Sequence, residues 1–315
     1  MAPHLRSILV PLDGSPLAER AVAYAAELAT AAEASLLLVR TAESPRHPHP
    51  EQQNAQEPQA RVYLEEMRSH LHATGVAADV AVPPGHAPEA LLAEVDRQKP
   101  DLIVATSHGY SGFRHTLLGG VAEAFVAAGQ APVLLLRQSA VEEAPSFRSL
   151  VGRRVLVLLD GSALAEAALP IALELARVLS SELTLFKAVD VYSIPYAVPT
   201  ELMTVPEHDV QLAWEASFDV KEAEAYLNLV MKRLNRQAPD TAIRTRIQVG
   251  DLVEQVRGFD SAANGGAEAD IGLIVMATHG RTGLAEALWR STALNVLRST
   301  ARPLVLVHPR GERPD

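Results

Sequence analysis

The sequence predicts two tandem copies of a doubly wound α/β domain, each with a five-stranded parallel sheet in strand order 3-2-1-4-5, paired about a pseudo-twofold axis. Three observations predict it. The 315 residues are too many for one average domain and suit two of ~150. Residues 9–29 recur as residues 156–176 with 14 of 21 positions identical, more than shared α/β habit would give. In each copy short apolar runs alternate with helical patterns, which calls for parallel strands joined by right-handed crossovers.

Each element can be justified in order. Residues 7–13 form a short apolar run ending in the acid Asp13, which predicts a buried strand and a tight turn at Gly14. Ser15 is placed as N-cap, and Pro16 suits the first helical position because it has no N–H to leave unpaired. Leu17, Ala21, Tyr24 and Leu28 recur at helical spacing, and Leu164, Ala168, Ile171 and Leu175 repeat that stripe after Asp160, Gly161 and Ser162. Second strands are expected at 36–39 and 183–188, and second helices around Tyr63, Leu64, Met67, Leu71 and around Tyr226, Leu227, Val230, Leu234. Third strands fall at 80–82 and 243–249, ahead of Gly85 and Gly250. Fourth strands fall at 101–106 and 270–277, with the continuous apolar runs of a sheet covered on both faces. Fifth strands at 132–136 and 303–307 close each copy. Residues 43–60 are polar and proline-rich, and they predict a mobile excursion. Their counterpart at 190–214 is more apolar and contains Trp214, a lid or partner surface on one reading and packing onto its own domain on the other. The expected organisation is a first domain at 1–140, a linker at 141–152 and a second domain at 153–310.

Composition narrows the function. Hydrophobic residues make up 48% of the chain, enough for two cores, and the net charge is −10 with a pI near 5.6. No basic stripe is present, which argues against a nucleic-acid partner. Cysteine is absent, so thiolate nucleophiles, disulfides and Cys-ligated zinc are excluded and a cytoplasmic setting is expected. The apolar run near the N-terminus is too short for a signal segment or a membrane span. His47 and His49 lack a third ligand at defined spacing, so no metal site is expected there.

In an open parallel sheet, ligands bind beyond the carboxyl ends of the strands where the order reverses, here between strands 1 and 4. The loop after strand 1 carries Asp13, Gly14 and Ser15. The loop after strand 4 runs from Ala105 and Thr106 through Gly109 and Gly112 to Gly119, Gly120, Val121 and Ala122, where a new helix begins. Glycines let the backbone approach a ligand closely, and a helix N-terminus adds about half a positive charge, so the loop suits phosphate. A tight strand-to-helix turn is the alternative. Walker, GxGxxG and GxSxG motifs are missing, and Ser107, Ser111 and Ser162 have no recognisable base partner. A dedicated enzyme is therefore not expected.

The opening residues 10–15, the segment 107–112 and the strand 131–135, with their counterparts in the second half, resemble the universal stress protein family. That resemblance implies a flavodoxin-like (Rossmann-like) fold, and in ATP-binding members a motif of glycine, two residues, glycine, nine residues, then glycine followed by serine or threonine. Thr106 stands at the first glycine, Gly109 and Gly119 match, and Gly120 replaces the hydroxyl residue. In the second copy Ala277 stands at the first glycine, Gly280 matches, Arg290 occupies the third and Ser291 keeps the hydroxyl. The resemblance implies that ATP or AMP is the ligand, with no metal beyond magnesium accompanying ATP. Asp13 and Asp160 would bond the adenine or ribose edge, Pro11 and Thr41 would line the base pocket, and the loop amides would hold phosphates. Ala188 and Thr292 complete the corresponding set in the second copy, where Leu158 replaces the proline. Arg290 is expected to block the second site, because a glycine there would tolerate positive φ where arginine is strained and because its side chain fills the phosphate space, so that one nucleotide binds per chain. The resemblance also implies that the fifth strands meet between the halves. The expected function is nucleotide-dependent stress response; a nucleotide-free scaffold working through protein contacts and a flavin carrier on the same fold remain alternatives, and no membrane partner is expected.

Overall fold

The structure is a computed structural model that describes residues 4–42, 50–107, 118–137, 149–189, 218–259, 270–278 and 285–309. The first half runs β1 (Ser7–Pro11), α1 (Pro16–Ala32), β2 (Ser35–Val39), α2 (Pro50–Ala73), β3 (Ala78–Ala81), α3 (Ala87–Gln98), β4 (Leu102–Thr106), α4 (Gly120–Ala128) and β5 (Val133–Leu136). The second runs β6 (Arg154–Leu158), α5 (Ala163–Glu166), α6 (Leu169–Val178), β7 (Leu183–Val189), α7 (Phe218–Gln237), β8 (Ile243–Val249), α8 (Leu252–Gly258), β9 (Ile271–Ala277), α9 (Ala285–Ser299) and β10 (Leu304–Val307). The two five-stranded sheets, each in the order 3-2-1-4-5, fuse into one ten-stranded sheet, β3-β2-β1-β4-β5-β10-β9-β6-β7-β8.

The fusion is made by the fifth strands. β5 and β10 pair antiparallel through Leu304↔Leu135, Val305↔Leu134 and Leu306↔Val133, and all eight residues of the two strands are buried. Antiparallel pairing across a twofold lets each half protect the other's last strand edge. Because side chains alternate faces along a strand, Leu134 and Leu136 enter one core while Val133 and Leu135 enter the other. Each of these two cores extends through both halves, one under α1, α2, α6 and α7, the other under α3, α4, α8 and α9.

Side chains beyond the strands repeat the reciprocity. Arg137, after β5, donates to the Arg298 carbonyl and to the Thr300 carbonyl at the end of α9. His308, after β10, lies on Gly129 at the end of α4, where a Cβ would come within 2.5 Å of the ring. On the other face Glu27 of α1 accepts the Leu150 N–H at 2.9 Å, and Glu174 of α6 accepts the Leu5 N–H at 3.1 Å. Residues 149–152, read from sequence as the end of a linker, are thus tied to α1, with Leu150 buried.

Two other elements differ from the sequence expectation. The polar stretch up to residue 60 is helical from Pro50 onward, with Pro58 inside α2. Residues 50–57 are rich in Glu, Gln and Ala, good helix formers, and buried Ala60 and Leu64 anchor the helix to the core. Residues 43–49, including His47 and His49, lie outside the described residues. The first helix of the second half is broken into α5 and α6, because Pro170 lacks the N–H that would bond one turn back and stands where the first copy has Ala23.

Candidate functional site

The site is built where β1 and β4 end side by side. Their parallel register holds at Ile8↔Leu102 and Leu9↔Ile103, after which no further pair is formed. Beyond the last pair, Asp13 folds its carboxylate back so that Oδ1 accepts the Ser15 N–H at 2.9 Å, and Ser15 Oγ accepts the Ala18 N–H at 3.1 Å as N-cap of α1. Asp13 is thus held by a local amide, and that bond orients the carboxylate at the crevice mouth. Gly14 has φ of 84°, in the left-handed region, and a Cβ there would lie 2.8 Å from the Arg40 guanidinium. The backbone conformation favours glycine, while the Arg40 side chain could swing aside.

Across the crevice, Ala105 is buried and Thr106 is half-buried at the end of β4. Ser107 donates its N–H to the Leu136 carbonyl at 2.8 Å, and its own carbonyl accepts the Gly119 N–H at 2.7 Å. The two ends of the intervening loop are pinned together at the crevice. Gly119 is the N-cap of α4 and has no side chain to cap it, so the helix opens on Gly120, Val121 and Ala122. Gly109 and Gly112 lie outside the described residues. Thr41 and Pro11 are both half-buried, Thr41 just past the end of β2 and Pro11 paired with Val39 inside the sheet.

Behind the Asp13 turn the structure assembles a group that sequence reasoning did not single out. The Arg40 guanidinium sits 4.9 Å from the Tyr63 ring centroid, and Tyr63 donates its hydroxyl to Glu19 at 3.1 Å. Burial pushes the Tyr63 phenol above its usual range, and the Glu19 carboxylate pushes it further. The second half keeps the same parts: Glu166, Lys187 and Tyr226, with Tyr226 raised by burial and then by Glu166. Lys187 donates to the Asp160 carbonyl at 2.5 Å, and Arg233 pairs with Glu166 at 2.5 Å. The signal was available in the repeat, since Glu19/Glu166 and Arg40/Lys187 occupy matching positions of the two copies.

The second copy differs at the crevice itself. Asp160 Oδ1 accepts the Ser162 N–H at 2.7 Å, as in the first copy, but Asp160 is exposed. Ala188 is still inside the sheet, paired with Gln248. β6 and β9 stay paired as far as Val157↔Val275. Gly280 lies outside the described residues. Arg290, Ser291 and Thr292 are well inside α9, which starts at Ala285. The backbone-strain argument for Arg290 fails on this geometry: its backbone is helical, and Gly119, at the matching place, has φ of −68°. Among the described residues no cluster of His, Asp and Glu could hold a metal ion, and no helix is long and apolar enough to cross a membrane.

Comparison with known proteins follows the same division into halves. A universal stress protein from Archaeoglobus fulgidus superposes with a TM-score of 0.70 at 18% identity, covering 97% of this chain and 98% of its own. A functionally unknown protein from Pseudomonas aeruginosa PAO1 superposes with a TM-score of 0.60 at 17% identity, covering 97% of this chain and 93% of its own. At such identities the likeness establishes the fold. No curated protein matches the sequence. The universal stress protein family itself matches twice, over residues 4–137 and 152–308, and the chain belongs to that family as a tandem of two such domains.

Proposed function

We propose that the protein is a regulatory stress-response protein, without dedicated catalysis, that binds an adenine nucleotide, ATP or AMP, in the crevice of its first half. The observation that carries the reading is the early end of the β1–β4 pairing, between the Asp13 turn and the uncapped start of α4. A nucleotide needs a carboxylate or carbonyl edge for its ribose and base, and converging amides with a positive helix end for its phosphates. Asp13 with Pro11 and Thr41 would supply the first, and Thr106, Gly109, Gly112, Gly119 and Gly120 the second, with magnesium entering only alongside ATP. Family membership supports the choice of adenine nucleotide, since ATP-binding members carry the glycine pattern that this loop follows at Gly109 and Gly119.

A second reading, a nucleotide-free scaffold, is favoured by Gly120, which stands where those members carry a hydroxyl. Heat-denaturing the purified protein and identifying the small molecules released separates the two. An adenine nucleotide near stoichiometry is expected. Its absence, together with no heat signal on titration with ATP or AMP, would leave the scaffold reading standing.

A further inference from the structure

In a parallel ladder the N–H and C=O of one residue face the same neighbouring strand, and successive residues alternate sides. Leu12 donates to Val39 on β2 at 2.7 Å, so residues 9 and 11 face β4. Extending the β1–β4 register to Val10 and Val104 would require an N–H at residue 11 to donate to the Val104 carbonyl. Proline has none, and the register ends at Leu9↔Ile103. In the second half Leu159 donates to Phe186 on β7 at 2.8 Å, so residue 158 faces β9. That residue is a leucine with an N–H to give, and the register there continues to Val157↔Val275.

The strands beyond the first one reach equivalent residues in the two copies. The ladder between β7 and β8 runs unbroken to Val189↔Val249, and β2 and β3, after Val39↔Ala81, stay joined through the Arg40 N–H on the Ala81 carbonyl, the Ala42 N–H on the Pro83 carbonyl and the Ala42–Pro84 bridge. The Asp160 carbonyl is also tied down by Lys187. Toward its second strand the first strand pairs to the same point in both copies, Pro11↔Val39 and Leu158↔Phe186, so the difference lies on the flank toward β4 and β9.

We propose that one backbone amide decides which half is open: Pro11, by lacking it, keeps the first crevice apart, and the Leu158 N–H closes the second. The chain therefore carries a single nucleotide site, in its first half, and a second half that serves as its structural partner. This stoichiometry rests on the nucleotide reading above, while the ladder difference stands without it.

The test uses the full chain and ATP in calorimetric titration, with amide hydrogen exchange as a readout independent of ligand. The unmodified protein should bind about one equivalent. Leu158→Pro should raise this to about two, whereas Leu158→Ala, which keeps the N–H and removes the bulk, should leave it at one. Pro11→Ala should weaken the first site about fivefold, the effect of one net backbone hydrogen bond competing with the ligand, and should give a protected amide at residue 11. Two equal sites in the unmodified protein, a second site opened equally by Leu158→Ala, or unchanged affinity in Pro11→Ala would overturn the proposal. If no nucleotide binds at all, the functional reading falls, and exchange decides the rest: slow exchange at Leu158 upholds the ladder difference, and fast exchange there overturns it.

Discussion

At the scale of single residues, identical side chains do different work in the two copies because their surroundings differ. Asp13 and Asp160 make the same bond to the amide two residues on, yet Asp13 is half-buried and Asp160 is exposed. A hydrogen bond to a charged group contributes about 1.5 to 3 kcal/mol. Asp13→Ala should therefore weaken adenine-nucleotide binding by about tenfold or more, and Asp160→Ala should leave it nearly unchanged. Titration of both variants with ATP checks this, and equal losses would count against the assignment. Asp13, Gly14 and Gly119 were legible in the sequence because each carries a local requirement, a tight turn or the start of a helix. Arg40 and Tyr63 were not, because their meeting joins a strand end to a helix residue far along the chain, and no local rule selects them.

At the scale of elements, Glu174 shows how one carboxylate fastens α6 to the segment leading into β1. Burial alone would raise its pKa, but the Arg177 guanidinium and the Leu5 N–H outweigh burial and hold the carboxyl below its ordinary value of 4.5, with His4 adding to the effect. A group whose folded pKa is depressed stabilises the fold fully above its unfolded value and loses that contribution as the pH falls through the folded one. Stability should therefore drop as the pH is lowered below about 4.5, and Glu174→Gln should flatten that part of the profile. At neutral pH Glu174→Ala should cost about 1 to 3 kcal/mol, from the buried Leu5 N–H it leaves unpaired. Denaturant unfolding as a function of pH measures both. A variant whose acid profile matches the unmodified protein would show that other carboxylates carry the transition. Pro170 acts at the same scale, since a single missing N–H splits one helix of the duplicated pattern into α5 and α6.

At the scale of the whole molecule, the two halves form one sheet and share both cores. β5 and β10 are short, wholly apolar and buried, and each covers the other's edge. A first half produced alone, residues 1–140, would expose Val133, Leu134, Leu135 and Leu136 at an open sheet edge, which is a template for pairing with a second copy. It should form a symmetric dimer through that strand, seen as a doubled mass in light scattering at micromolar concentration. A stable monomer would show that the edge can be covered in some other way. Glu27 and Glu174, each holding the lead-in segment of the other half, make the pairing directional as well as apolar.

The sequence by itself determined that the chain is a duplication, that each copy is a doubly wound sheet in the order 3-2-1-4-5, and where the crevice of each copy lies. Those features are written in period, in turn residues such as Asp13 and Gly14, and in the repeat, all of which act over short separations. Tertiary structure alone decided that α2 continues through Pro58, that Arg290 sits in a helix rather than a strained loop, and that the ladders beside β1 and β6 end at different residues. Each of these depends on which strand or core an element meets. Pro11 and Leu158 could be read from the sequence as a difference between the copies, but only the alternation of amides across a formed sheet shows that residue 11 faces β4 and residue 158 faces β9. A missing hydrogen bond opens a crevice only where a neighbouring strand would otherwise have received it.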